Sequence, residues 1–231
     1  MNSLDANGLL PQSSFERKRA QLVEYLKSTH ALVSKDIEEA FARVPRELFL
    51  PFSLRTQAYE DEAIPLLASQ TVSQPSTLAT MLEALQVKKE MNVLEVGSGS
   101  GYVCALLAEL VGPKGRVTGM ELLPALAETA QSNLRQTPYT NIQTVQGDGT
   151  LGFEPNTPYD RVLVSAAAPF VPKPLFSQLK EGGRIVAPVG EKFVQTLQIV
   201  EKKNGKLLKK DVHPFTYQFV PLKGKHGWNE Q

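Results

Sequence analysis

The hydrophobic and polar positions of the first 90 residues follow the period of α-helices. Three segments predict helices: residues 15–28, a segment capped by Ser34 that ends before Pro45, and a segment that begins after Pro75. In the first and third segments the apolar residues recur three or four positions apart, so one face of each helix can pack on a core. In the third helix these residues are Leu78, Met81, Leu82 and Leu85.

Beyond residue 90, short β-rich runs alternate with helical patterns. This alternation indicates parallel strands joined by helical crossovers, and therefore a three-layer α/β sheet. The Asn204-Gly205 pair predicts a β-hairpin, and residues 217–222 predict one more strand in mixed pairing. The predicted strands are residues 92–96, 116–120, 142–146, 161–165 and 184–189. Three helices are predicted between them: one that starts at Ser100, one from Pro124 to about Gln136, and a short one near Pro174 to Leu179.

Composition and charge fit one large globular domain or a domain with a small extension. Of the 231 residues, 42% are hydrophobic and 21% are charged, and the formal net charge is +1, which allows a sizeable core. The basic residues between 202 and 210 are interrupted by Asn204-Gly205, so we expect no nucleic-acid partner. The longest mostly apolar run, residues 162–171, is too short to span a membrane. The single cysteine, Cys104, suits a reducing compartment, and we expect a cytoplasmic monomer without a metal site.

Three glycines in five positions, Gly97, Gly99 and Gly101, follow the first predicted strand of the α/β region. In such sheets, ligands bind beyond the carboxyl ends of the strands, so this loop is expected to line the binding crevice. The loop lacks the lysine of a phosphate-binding P-loop, and its G-x-G-x-G spacing differs from the dinucleotide fingerprint G-x-G-x-x-G.

Three acidic residues follow or close three successive strands. Glu121, 20 residues after Gly101, is placed to accept hydrogen bonds from two ribose hydroxyls, of NAD or of S-adenosylmethionine alike. Glu95 would repel a pyrophosphate but suits a ligand with an ammonium group, and Asp148 is expected to reach an adenine amino group. Each has a structural alternative, a capping charge for Glu121 and a β-turn for Asp148-Gly149. Together, in chain order, they favour S-adenosylmethionine.

Six motifs carry a resemblance to a known family. They are "QTVSQP" (70–75), "LEVGSGSGY" (94–102), "GDG" (147–149), "YDRVLVSAAAP" (159–169), "QLKEGGRIVAPVG" (178–190) and "FVPL" (219–222). With these motifs, the chain from Phe15 to Leu222 resembles the protein-L-isoaspartate O-methyltransferases, which repair damaged aspartyl and asparaginyl sites. The glycine loop is shared by many methyltransferases, whereas "QTVSQP" and "SAAAP" are much more specific to this family.

The resemblance implies a Rossmann-like S-adenosylmethionine-dependent methyltransferase fold. The sheet should be mostly parallel with an antiparallel C-terminal strand, and a helical extension should precede it. The expected organisation is a flexible tail at residues 1–14, a helical region with the acceptor loop at 15–90, and the methyltransferase core at 91–231, all within one integrated domain. The implied reaction is methyl esterification of the α-carboxylate of L-isoaspartyl residues, after which a succinimide forms and reopens spontaneously.

The resemblance also assigns the site residues. Ser73 matches the family's active-site serine and is expected to orient the acceptor carboxylate, although it is also placed to N-cap the following helix. The acceptor carboxylate is ionised at neutral pH, since its ordinary pKa is about 4, so no general base is required; His30, His213 and His226 lie outside the motifs. The expected substrate-binding residues are Ser73, Ala166, Ala167 and Ala168. The expected cofactor-binding residues are Gln70, Thr71, Val72, Glu95, Gly97, Ser98, Gly99, Glu121, Leu122, Asp148 and Gly149.

One stretch departs from the family pattern. The family usually reads close to "IGYGQT" before its serine motif, whereas this chain has Leu67, Ala68 and Ser69 in place of the glycines and the aromatic residue, which reduces backbone freedom. Two alternatives follow: a methyltransferase with another carboxylate acceptor, and a non-catalytic module that binds S-adenosylmethionine. A third and weaker alternative is an NAD-dependent dehydrogenase.

Overall fold

The computed structural model of the protein describes residues 12–211 and 215–228. Within these ranges, the helices are α1 Gln12–Ser28, α2 Lys35–Arg43, α3 Pro75–Leu85, α4 Tyr102–Val111, α5 Pro124–Leu134 and α6 Lys173–Ser177. The strands are β1 Ile64–Pro65, β2 Thr71–Val72, β3 Asn92–Val96, β4 Arg116–Glu121, β5 Ile142–Gln146, β6 Tyr159–Val164, β7 Leu179–Glu191, β8 Val194–Lys203 and β9 Lys206–Asp211. Short 3-10 turns lie at Arg46–Phe49, Phe52–Gln57, Leu67–Ser69, Gly149–Leu151 and Glu154–Asn156.

The main sheet has the strand order β5-β4-β3-β6-β7-β8-β9. Neighbouring strands from β5 to β7 are parallel, and the β7–β8 and β8–β9 pairs are antiparallel. This confirms the expected mostly parallel, Rossmann-like sheet with antiparallel C-terminal pairing. The chain runs from β3 outward through β4 to β5 and returns beside β3 as β6. The loops after β3 and β6 therefore diverge, and a ligand crevice opens between them.

The N-terminal helices occur where their apolar periodicity predicts them. Helix α1 begins at Gln12, inside the segment expected to be a tail; residues 1–11 lie outside the described residues. Ser34 directly precedes α2, but its side chain does not cap that helix. Its hydroxyl instead donates a hydrogen bond to Glu83 of α3, which ties the two helices together.

Residues 217–222 do not form the predicted additional strand. Tyr217 pairs with Gln195 of β8, whereas Pro221 pairs with Ala167 after β6. The segment thus contacts two separate parts of the sheet edge through isolated bridges. A proline has no amide N–H, so Pro221 cannot extend a regular ladder.

Apolar clusters cover both faces of the sheet. One cluster joins the helical region to α4 and to the sheet through residues such as Phe15, Leu78 and Val93. The other packs around Leu94 and Val162 on the opposite face. The residues before β3 therefore share a continuous core with the sheet. No helix within the described residues is long and apolar enough to cross a membrane.

Candidate active site

The glycine loop after β3 has the left-handed backbone that its glycines allow. The φ angles are +84° at Gly97, +54° at Gly99 and +88° at Gly101, values that residues with a Cβ rarely adopt. The N–H groups of Gly97 and Ser98 donate to the Met120 carbonyl of β4 at 2.9 and 3.0 Å. The loop is thereby held against the end of the neighbouring strand.

Glu121, at the end of β4, links this loop to the next one. Its Oε2 accepts a hydrogen bond from the Gly99 N–H and its Oε1 accepts one from the Leu123 N–H, both at 2.9 Å. The residue is only 7% exposed. Each carboxylate oxygen retains further acceptor capacity, so the side chain can bind two more donors from the cleft while it keeps the loop in place.

A cleft lies over these loops, with an empty volume of about 610 Å³ that includes open solvent at its mouth. Its floor is apolar, with Met120 and Leu126, and Glu121 is the acidic group at its edge. Of the expected cofactor-binding residues, those that line this cleft are Gln70, Thr71, Gly97, Gly99, Glu121, Leu122 and Gly149. The expected substrate residue Ala166 also lines it. The other lining residues, which the sequence patterns do not reveal, are Val96, Met120, Leu123, Leu126, Ser165 and the segment from Val220 to Lys223.

Glu95 does not line the cleft, contrary to the expectation that it faces an ammonium group. It is 1% exposed and lies beneath the loop, where the Cys104 thiol donates to its Oε2 and the Ser165 hydroxyl donates to its Oε1, both at 2.9 Å. Burial raises the pKa of the Glu95 carboxyl to about 7, against the opposing effect of those hydrogen bonds. Glu95 therefore supports the site from below by orienting Ser165.

Asp148, expected to contact adenine, does not line the cleft in this structure. Its Oδ1 accepts hydrogen bonds from the N–H and hydroxyl of Thr150, and its Oδ2 accepts one from the Lys225 N–H at 2.7 Å. Partial burial opposes ionisation, but these hydrogen bonds outweigh it and hold the pKa of Asp148 below its ordinary value. Asp148 thus anchors the C-terminal segment, while its neighbour Gly149 lines the cleft. Val72 and Ser98 are buried outside the cleft lining.

A second cavity of about 770 Å³ adjoins the cleft and contains Ser73. The two cavities share Thr71, Ser165 and Val220 in their linings. Ser73 is half-buried, and its hydroxyl has no hydrogen-bond partner within the described residues. It does not cap α3, because Asp61 accepts the hydrogen bond of the Ser76 N–H at 2.8 Å. The Ser73 hydroxyl is therefore available to a molecule in this cavity.

Only one of the three expected alanines reaches the site. Ala166 lines the cleft beside Ser165, whereas Ala167 and Ala168 are fully buried. The Ala167 carbonyl accepts hydrogen bonds from the Leu222 N–H at 2.7 Å and from the Trp228 indole at 2.9 Å. The expectation that Ala167 and Ala168 bind substrate is corrected, since Ala167 holds the C-terminal segment that walls the cleft and Ala168 pairs with β7 at Pro188 and Gly190.

Where the chain departs from the family pattern, at Leu67, Ala68 and Ser69, two residues have the left-handed backbone conformation that glycine favours. Ala68 and Ser69 have φ angles of 55° and 57°, which cost roughly 1–2 kcal/mol per residue for side chains other than glycine. The turn is closed by the Gln70 N–H, which donates to the Leu67 carbonyl at 3.1 Å. Leu67, at the tip of the turn, is 56% exposed. Two residues with side chains thus adopt here the left-handed backbone conformation that glycine adopts at lower cost.

Neither His30 nor His226 lines the cleft or the cavity that contains Ser73. His30 is exposed, and the His226 N–H donates to the Thr150 hydroxyl at 3.1 Å on the outer side of the C-terminal segment. His213 lies outside the described residues.

Comparisons with known proteins agree with this geometry. A profile of the family described as protein-L-isoaspartate(D-aspartate) O-methyltransferase (PCMT) matches residues 17–227. The chain is 45% identical over 217 residues to a protein-L-isoaspartate O-methyltransferase of Methanopyrus kandleri, across 94% of this chain and 96% of that protein. It is 43% identical over 217 residues to protein-L-isoaspartate O-methyltransferase 1 of Archaeoglobus fulgidus, across 93% of this chain and 97% of that protein.

Solved structures show the same fold. A protein-L-isoaspartate O-methyltransferase superposes with a TM-score of 0.81 at 34% identity, across 90% of this chain and 67% of that one. A Plasmodium falciparum structure in complex with S-adenosyl-L-homocysteine superposes with a TM-score of 0.77 at 24% identity, across 88% of this chain and 97% of that one. The profile match and the curated relatives span nearly the whole chain, and the chain therefore belongs to the protein-L-isoaspartate O-methyltransferase family.

Proposed function

We propose that this protein transfers a methyl group from S-adenosylmethionine to the α-carboxylate of L-isoaspartyl residues in damaged proteins. The observation that carries this proposal is the pair of adjoining cavities that share Thr71, Ser165 and Val220, in a chain of this family. One cavity is lined by the glycine loop and Glu121, which suit a methyl donor, and the other presents Ser73 to an acceptor. Family membership removes the dehydrogenase alternative.

The residues of the cleft fit S-adenosylmethionine. Glu121 offers acceptors to two ribose hydroxyls, the glycine loop allows close approach to its backbone, and Met120 and Leu126 provide an apolar surface for the adenine beside Gly149. When bound, S-adenosylmethionine supplies an electrophilic methyl group on a sulfonium. Among the described residues that line the cleft, Lys223 is the basic one.

The chain's contribution to the reaction is placement. An acceptor carboxylate is already ionised at neutral pH because its ordinary pKa is about 4, so no side chain needs to remove a proton. The Ser73 hydroxyl donates a hydrogen bond to one carboxylate oxygen and leaves the other oxygen free to attack. Ser165, fixed by its hydrogen bond to Glu95, borders both cavities and limits the position of the attacking oxygen. Holding the reactants in line replaces a costly encounter in solution.

The repair step follows outside the active site. The methyl ester is a better leaving group than the carboxylate, so the neighbouring backbone nitrogen closes a succinimide that reopens partly to normal aspartate. The acceptors are accordingly isoaspartyl-containing peptides and proteins. The proposal also includes a cytoplasmic location and a monomeric state. For the location, the buried free thiol of Cys104 suits a reducing compartment.

The test is transfer of labelled methyl groups to two peptides that differ only in isoaspartate against aspartate. Base-labile label on the isoaspartyl peptide alone supports the proposal. Ser73→Ala should lower kcat about 100-fold, which corresponds to loss of one positioned hydrogen bond to a charged group, with little change in S-adenosylhomocysteine binding. Ser76→Ala, a serine of the same segment outside the acceptor cavity, is the matched control. Label on neither peptide contradicts the proposed substrate.

A further inference from the structure

Arg46 is a buried cation without an anionic partner beneath the acceptor loop. It is 0% exposed, and within the described residues it forms no ion pair. Its Nε and Nη1 atoms have no hydrogen-bond partner there either. Burying an unpaired charge is costly, so a buried arginine at this position suggests a functional role.

The contacts of Arg46 connect both halves of the site. Its Nη2 donates to the carbonyls of Glu62 and Ser73, both at 3.2 Å. These carbonyls lie just before β1 and just after β2, so one guanidinium group fixes both ends of the hairpin that carries the acceptor serine. The Arg46 Cζ also lies 5.7 Å from the ring centroid of Tyr102, the first residue of the helix after the glycine loop.

The acidic side chains near Arg46 are bound to other groups. Glu47, the next residue, pairs with Arg19 at 3.3 Å and accepts a hydrogen bond from Tyr59. Asp61 interacts with Arg46 electrostatically, but its oxygens accept hydrogen bonds from Gln74 and Ser76 at 3.1 and 2.8 Å. Asp61 therefore offsets part of the positive potential of the guanidinium group from a distance, without forming an ion pair with it.

We propose that Arg46 is a positioning residue that fixes the Ser73 backbone and favours a carboxylate over a neutral group in the acceptor cavity. This inference rests on the proposed function. Ser73 selects an oxygen acceptor by hydrogen bonding, whereas Arg46 supplies the charge that a carboxylate requires. Because the guanidinium group is buried, its field is weakly screened by solvent. An arginine also remains charged at neutral pH even when burial lowers its pKa.

The experiment measures acceptor preference at equilibrium. Binding of an isoaspartyl peptide and of the same peptide with an α-carboxamide is measured on the enzyme saturated with S-adenosylhomocysteine. Wild type should bind the carboxylate at least about tenfold more tightly, the effect of one partly screened charge at this range. Equal binding of the two peptides by wild type overturns the inference without any variant.

Two substitutions, one that removes a positive charge and one that removes a negative charge, distinguish an electrostatic role of Arg46 from a structural one. Arg46→Gln should reduce the preference to within about threefold, and Asp61→Asn, which removes the offsetting acid, should increase it about threefold. A merely structural role predicts that both variants lose affinity for both peptides without a change in their ratio, and that result overturns the inference.

A third variant tests the positioning role of Arg46 and keeps the inference testable if Arg46→Gln does not fold. Arg46→Lys keeps the charge but lacks the planar fork that spans two carbonyls, so it should keep the carboxylate preference and lose about tenfold in kcat. If Arg46→Gln does not fold, as judged by thermal unfolding, Arg46→Lys and Asp61→Asn still decide the outcome. Absence of methyl transfer to any isoaspartyl peptide by wild type would instead refute the proposed function itself, which is a separate result.

Discussion

The role of Glu121 gives the sharpest test of the cleft. Its two oxygens already accept the N–H groups of Gly99 and Leu123 at 2.9 Å, and each oxygen has a further lone pair with which to accept a ribose hydroxyl. Glu121→Ala removes both hydrogen bonds to the ribose. A hydrogen bond to a charged group contributes about 1.5 kcal/mol at the low end, so the loss is about 3 kcal/mol, or roughly 150-fold in the dissociation constant.

Glu121→Gln is a graded version of the same change. Both acceptor positions face backbone N–H donors, so the amide nitrogen of glutamine must point at one of them. One half of the interaction is lost, and we expect an affinity decrease of about tenfold, or about 1.4 kcal/mol. The geometry, and not only the charge, therefore predicts that affinity decreases from wild type to Glu121→Gln to Glu121→Ala.

The assay is isothermal titration with S-adenosylhomocysteine, accompanied by thermal unfolding of each variant. Glu128→Ala is the matched control, because Glu128 is exposed on α5 and its loss changes the net charge equally without touching the cleft. Glu121→Ala should also unfold at a lower temperature, since it leaves the Gly99 and Leu123 N–H groups unpaired. An affinity within twofold of wild type in Glu121→Ala would refute the assignment of the ribose to this residue.

Three further results are expected. The pKa of Glu95 in the folded protein is about 7, above its ordinary value of about 4.5. The protonated form therefore stabilises the fold fully below pH 4.5, and up to about 3 kcal/mol of this stability is lost as the pH rises through 7. Glu95→Gln should flatten the resulting decline in thermal unfolding temperature, and parallel pH curves for the variant and wild type would contradict this. Ala68→Gly should stabilise the protein by about 1 kcal/mol in urea unfolding, whereas Ala63→Gly, at an exposed position without positive φ, should not. Asp148→Ala should speed hydrogen exchange at the Lys225 amide about tenfold; unchanged protection would show that Asp148 does not anchor that segment.

Local spacing was enough to locate the glycine loop and Glu121. The loop follows directly from three glycines after an apolar run, and Glu121 closes the next strand at the carboxyl edge of the sheet, where such a site must lie. These features depend on a few neighbouring residues and on the general rules for parallel sheets. The same is true of the hairpin at Asn204-Gly205, whose flanking strands pair as predicted.

Side-chain direction and long-range contacts could not be deduced in this way. Glu95 alternates with Leu94 and Val96 along β3, and the sequence alone does not reveal which face meets α4. Asp148 finds its partner at Lys225, 77 residues later. Arg46 attracts no notice in the sequence because its importance depends on a contact with the Ser73 carbonyl, 27 residues away. Each of these outcomes is decided by tertiary packing, which local patterns do not encode.

The wall of the cleft formed by Val220 to Lys223 has a consequence for the order in which the site is built. This wall is held by Trp228 on Ala167 and by Lys225 on Asp148, and both contacts join residues that are synthesised far apart in time. Domains begin to fold during synthesis from the N-terminal side, so the sheet and glycine loop can form while the cleft is still open on one side. The Val220 carbonyl and the Leu222 N–H also bind Ala167, so this side of the cleft forms after residues 220–223 have been synthesised, and the contacts of Lys225 and Trp228 then secure it.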